Sequence, residues 1–149
     1  MVKRSEQRSV NDVLLNKAAS IQRCIQQVRR YDAFTLDVPF EIDQLKQDAI
    51  AANLHRACEQ SIDLANHVIR RRRLGIPEES RDSFILLAEH QLIERDLAEK
   101  LASMADFRNT LMREYQQLDL TLFRQVIDHH LDDLLLFSEL MVKKMAAAE

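Results

Sequence analysis

The segment from Phe107 to Tyr115 reads Phe-Arg-Asn-Thr-Leu-Met-Arg-Glu-Tyr and concentrates the side chains best suited to chemistry. It closes an amphipathic helical pattern whose apolar positions are Leu97, Leu101, Met104, Ala105, Leu111 and Met112. At 3.6 residues per turn Arg108 falls near the middle of that apolar stripe, and Tyr115 points the same way. A guanidinium aimed at a packing surface cannot shed its proton, so it needs a carboxylate partner or an anionic ligand. The fork of N–H donors on Arg108 suits a phosphate, and Asn109 adds a donor and an acceptor beside it. Arg113 lies five residues on, about 140° around an ideal helix, and so leaves the face of Arg108. Both could meet one ligand only through an unwound helix or a second subunit. The pattern leaves two roles open for Arg108: an internal arginine paired with a carboxylate, or a grip on phosphate.

Other constellations are weaker. Asp128, His129, His130, Asp132 and Asp133 crowd one part of the C-terminal helical pattern. Di-metal helical bundles present Glu-x-x-His pairs, and no Glu here is followed three residues later by His. The cluster reads as a solvated helix face, and no metal or other cofactor is expected. There is no Gly-rich phosphate loop and no Gly-x-Ser-x-Gly elbow. His55, His67 and His90 stand alone, with no orienting carboxylate pattern. The net charge of −3 gives no global bias toward nucleic acid, but positive charge gathers locally at Arg29 and Arg30, at Arg108 and Arg113, and in the run Arg70, Arg71, Arg72, Arg73. That run is either a solvated helix end favoured by the macrodipole or a contact for a nucleic-acid backbone.

The elements that must position these residues are helical throughout. With 149 residues, 46% of them hydrophobic, one Gly and two Pro, the chain fits a single helical domain with few tight turns. Residues 1–10 read as a loosely held polar arm, 11–145 as one domain, and 146–149 as a frayed tail. Asn11 or Asp12 caps a first helix that fades near Tyr31. The connector to Phe40 carries Phe34, Leu36, Val38 and Phe40, which are expected to tuck against the bundle. Asp43 to about Arg73 forms a long second helix with Ile50, Leu54, Ala57, Cys58, Leu64, Ala65, Val68 and Ile69 inward. Gln47 and Ser61 fall on the same stripe and require hydrogen-bond partners. Gly75 in a left-handed cap and Pro77 end that helix, and Ser80 caps a short third one. A fourth helix starts near Glu94, and Asp119 or Thr121 caps a fifth. Cys24 and Cys58 read as buried free thiols. No apolar run approaches a bilayer span and no secretory signal is present, so no membrane association and a cytoplasmic location are expected.

The 107–115 segment resembles the signature of HEPN-domain proteins, specifically the HepT toxins of HepT/MntA toxin–antitoxin systems, whose motif is Arg, four residues, His, one residue, Tyr. Asn11 to Cys24, Asn53 to His67, Leu74 to Phe84 and Leu131 to Asp133 resemble HepT segments in their expected order. The resemblance implies an all-α, five-helix HEPN-type bundle that forms a homodimer with the two motifs facing each other. It further implies a metal-independent ribonuclease toxin acting on RNA, with tRNA as the expected substrate. Its partner would be a minimal nucleotidyltransferase antitoxin of the MntA type, which adds AMP to the tyrosine matching Tyr115. In that scheme Arg108 and Asn109 belong to the catalytic site, Arg108 holding the scissile phosphate. The histidine position, however, is Arg113. An arginine stays protonated and cannot serve as a general base, so the resemblance implies an impaired or silent nuclease. The competing reading is a non-catalytic dimer that binds RNA or docks the antitoxin.

Overall fold

The computed structural model describes residues 4–34, 38–113 and 119–147, with the backbone alone at 4–11, 112–113 and 147. Among the described residues the chain is all α, with helices α1 (Arg4–Ala33), α2 (Gln44–Arg72), α3 (Ser80–Glu89), α4 (Arg95–Arg113), α5 (Leu120–His129) and α6 (Leu131–Ala147), and a 3-10 turn at Phe40–Ile42.

Helix α2 is the central element and touches α1, α3, α4 and α6. Its apolar stripe is buried as the 3.6-residue period requires, from Ile50 through Leu54, Ala57, Leu64 and Ala65 to Ile69. The polar residues on that stripe find partners: Gln47 Nε2 donates to the Phe40 carbonyl at 2.8 Å, and Ser61 Oγ to the Ala57 carbonyl at 2.9 Å. Asp43 accepts from the Lys46 amide and caps the helix start. Helix α1 lays Leu14, Ala18, Ile21, Ile25 and Val28 against it. Helix α3 packs on α4, and edge-on contact between Phe84 and Phe137, with centroids 5.3 Å apart, joins α3 to α6. Phe123 is fully buried between Phe40 and Phe107 at 5.5 and 6.2 Å. Among the described residues no helix is long and apolar enough to cross a membrane.

Several local expectations are corrected. Helix α1 begins at Arg4, upstream of the Asn11 or Asp12 cap. The expected fifth helix is two helices that break at His130, where the backbone opens to φ −117°, ψ −2° and Nδ1 lies 3.0 Å from Asp133 Oδ2. The left-handed residue ending α2 is Arg73, at φ 54°, while Gly75 sits at φ +135° in the following connector. The cap of α3 is Glu79, which forms a reciprocal capping box with Asp82, so Ser80 is freed for another role. In the 34–40 connector Phe40 packs inward, whereas Phe34 and Val38 are exposed and Leu36 lies outside the described residues.

Candidate functional site

Arg108 follows the buried Phe107 on α4 and takes its place in the apolar stripe, leaving its side chain 13% exposed. The charge is met by two other helices. Nη1 donates to Oε1 of Glu59 on α2, and Nη2 donates to Oγ of Ser80, the first residue of α3, at 3.0 Å. Arg108 therefore ties α2, α3 and α4 together, and the expected alternative of an internal ion pair is realised. The pair is not sealed. Glu59 is 34% exposed and lines an open groove of about 650 Å³ along α2, together with Asp48, His55, Arg56, Gln60 and Leu111 of α4.

His55 lies one turn before Glu59, and its Nε2 stands 3.8 Å from the same Oε1 that Arg108 engages. Cys58 is buried in the core. Burial pushes its thiol up to about 12, an effect the nearby Arg108 charge partly offsets. It is accordingly a packing residue rather than a nucleophile.

The remaining sequence-selected residues scatter. Asn109 is exposed, one helical step around from Arg108. Arg113 ends α4; its side chain and all of Tyr115 lie outside the described residues. Arg70, Arg71, Arg72 and Arg73 are exposed at the end of α2, about 16 Å along the axis from Glu59 at 1.5 Å per residue. They do not line the groove that Glu59 borders. Arg72 Nη2 donates to the Lys144 carbonyl at 3.2 Å, which joins this end of α2 to α6. The acidic cluster at 128–133 is engaged in ion pairs: Asp128 with Arg124, Asp132 with Arg29 and Asp133 with His130. Among the described residues no group of three or more His, Cys, Asp or Glu is placed to hold a metal ion.

Sequence reasoning missed Glu59, Ser80 and His55 as neighbours of Arg108. The spacing of His55 and Glu59, four apart on one helix, was visible. Their meeting with a residue 49 positions further along the chain depends on how α2 and α4 dock.

The fold and the sequence coincide with a known family. The ribonuclease HepT-like family matches residues 21–141, and the chain belongs to it. Its sequence is 42% identical over 124 residues to the mRNA nuclease HepT of Shewanella oneidensis, covering 83% of this chain and 92% of that protein. It is 25% identical over 100 residues to the tRNA nuclease HepT of Aphanizomenon flos-aquae, covering 66% and 67% respectively. Among solved structures, a toxin–antitoxin complex with AMP-PNP superposes with a TM-score of 0.82 at 39% identity, over 87% of this chain and 97% of that one. A tri-AMPylated Shewanella oneidensis HEPN toxin in complex with its MNT antitoxin superposes at 0.80 and 40% identity, over 87% and 96%. The family expected from the 107–115 segment is thus the family found.

Proposed function

We propose that this chain is the toxin of a toxin–antitoxin pair, a HEPN ribonuclease whose catalytic power is reduced by Arg113. The observation that carries the reading is Arg108, a desolvated guanidinium whose carboxylate partner, Glu59, lines an open groove. A phosphodiester offers the same paired oxygens as Glu59, and exchanging one for the other brings RNA to the groove without moving α4. There the guanidinium would stabilise charge developing on the scissile phosphate. Two copies of the chain, joined so that their motifs face one another, would let Arg113 of one reach the phosphate bound by the other.

Arg113 stands where the family motif has histidine. It can bind phosphate but cannot take a proton, and losing general acid–base catalysis lowers the rate by roughly 10²–10⁴-fold. Reverting Arg113→His and assaying cleavage of both tRNA and mRNA tests this. The sequence reading favours tRNA, and the two named relatives act on one RNA each. A rise in cleavage is expected; no cleavage of either RNA by the parent or the reverted chain would end the ribonuclease account.

The antitoxin of this reading is a minimal nucleotidyltransferase that transfers AMP to Tyr115. The added phosphate beside Arg108 and Arg113 would block the RNA path by charge and bulk. The similarity to an AMPylated toxin bound to its antitoxin supports this partner. Incubation with the antitoxin and ATP should raise the intact mass by whole AMP groups, and Tyr115→Phe should remove at least one of them. A second reading, a non-catalytic dimer that holds RNA or docks the antitoxin, is favoured by Arg113 itself. It predicts RNA binding that survives with no cleavage before or after the reversion.

A further inference from the structure

We propose that His55 is a catalytic residue of this chain and takes up the proton-transfer role that Arg113 cannot perform. The inference rests on the ribonuclease reading above and deepens it. The convergence on one oxygen carries it: Oε1 of Glu59 is contacted by Nη1 of Arg108 and lies 3.8 Å from Nε2 of His55. When a phosphodiester replaces that carboxylate on Arg108, its oxygens and the adjoining ribose 2′-hydroxyl arrive beside the imidazole.

Three further observations fit. His55 lines the groove with 35% of its side chain exposed, so an RNA strand that displaces Glu59 comes against the imidazole. Nε2 is nevertheless enclosed and makes no hydrogen bond among the described residues. An imidazole nitrogen in that position has capacity to spare for a ligand. The displaced Glu59 remains four residues along the same helix, where its carboxylate can stabilise the imidazolium. The charged groups around His55 are Asp48, Arg56 and Glu59 on α2 and Arg108 on α4.

The step is cleavage of RNA by its own 2′-oxygen. His55 takes the proton of the 2′-hydroxyl as the 2′-oxygen bonds to phosphorus, and the bond from phosphorus to the 5′-oxygen breaks. The 5′-oxygen takes a proton from water, the imidazolium returns its proton to solvent, and the products are a 2′,3′-cyclic phosphate and a 5′-hydroxyl. Arg108 holds the non-bridging oxygens throughout.

The test compares the parent chain, His55→Gln, Arg113→His and the double variant on end-labelled tRNA and mRNA under single turnover across pH. The parent is expected to cleave slowly and leave cyclic phosphate ends. His55→Gln should slow it by a further ~10²-fold or more and change the shape of the rate–pH profile. The double variant should recover cleavage through the motif histidine, which also establishes that H55Q folds. Cleavage by His55→Gln at the parent's rate would overturn the proposal. So would a parent that is silent while Arg113→His cleaves, an outcome that leaves the ribonuclease reading standing. Silence of both the parent and Arg113→His would instead bring down the ribonuclease reading and this inference with it.

Discussion

Arg124 donates two parallel hydrogen bonds to the carboxylate of Asp32, at 2.7 and 2.8 Å, across 92 positions of sequence. The same guanidinium reaches Asp128 one turn along α5 at 2.6 Å and lies 5.2 Å from the centre of the Phe40 ring. Its hydrogen bonds to Asp32 and then Asp128 hold its proton more tightly than an ordinary arginine's. One side chain therefore pins the end of α1, the 3-10 turn and α5.

Arg124→Ala should lower stability by about 1–2 kcal/mol, since the pair is partly screened at the surface. The midpoint of thermal unfolding should fall by about 2–4 °C for each kcal/mol lost. The pH dependence follows from Asp128, whose carboxyl is held below its usual 3.8 by hydrogen bonding to Arg124. A carboxyl with a depressed folded value adds stability above 3.8 that is lost as pH falls through the lower value. Acid unfolding curves of Arg124→Ala should be shallower in that window. Curves parallel to the parent's would refute the assignment.

Arg108 and Glu59 make opposite predictions for RNA binding. Arg108→Ala should abolish binding in the groove, while Glu59→Gln should tighten it because the phosphate no longer competes with a carboxylate for the guanidinium. Both variants should be less stable than the parent, by about 1–3 kcal/mol, because each leaves a part-buried polar group less well satisfied. Fluorescence anisotropy with labelled RNA reads the first effect and urea unfolding the second. Weaker binding by Glu59→Gln would show that the carboxylate is not standing in for phosphate.

The arginine run at 70–73 lies away from the groove, so its contribution should be electrostatic and additive. Replacing all four with Gln should weaken RNA binding at low salt and flatten the dependence of log K on log salt. The slope should fall by about 0.7 for each phosphate contact removed from single-stranded RNA. An unchanged slope would return the run to a purely structural role at the end of α2.

His67 provides a pH handle independent of the groove. Burial, then the charges of Arg70, Arg71 and Lys17, lower its proton affinity below the ordinary 6.5. The unfolded chain therefore takes up the proton first as pH falls below 6.5, and stability declines from there toward the lower folded value. Above 6.5 both states are neutral and the stability is fully present. His67→Gln should flatten this part of the stability–pH curve, measured by denaturant unfolding; an unaltered curve would rule His67 out as its source.

Much of this was legible in the residues because helical burial repeats locally. Every position named for the inward stripe of α2 is buried, and Asp119 caps α5 by accepting from the Thr121 and Leu122 amides. The break at His130 was not legible, since neither Gly nor Pro marks it and the apolar period continues through Leu131 and Leu134. The placement of Arg108 on a packing face was readable from period alone. Its partners were not: ion pairing between α2 and α4 is fixed by docking, and Ser80 reads as a cap although Glu79 and Asp82 close their own box and leave it free for Arg108.

The anchoring of Arg108 to Ser80 makes the seven-residue stretch at 73–79, between α2 and α3, part of the candidate site in a mechanical sense. Gly75, at a backbone angle that other residues rarely adopt and with Leu86 3.6 Å from where a Cβ would sit, sets how that stretch enters the helix. Cells that survive the proposed toxin by mutating it should therefore yield escape alleles at Gly75 as well as in the motif, even though Gly75 does not line the groove.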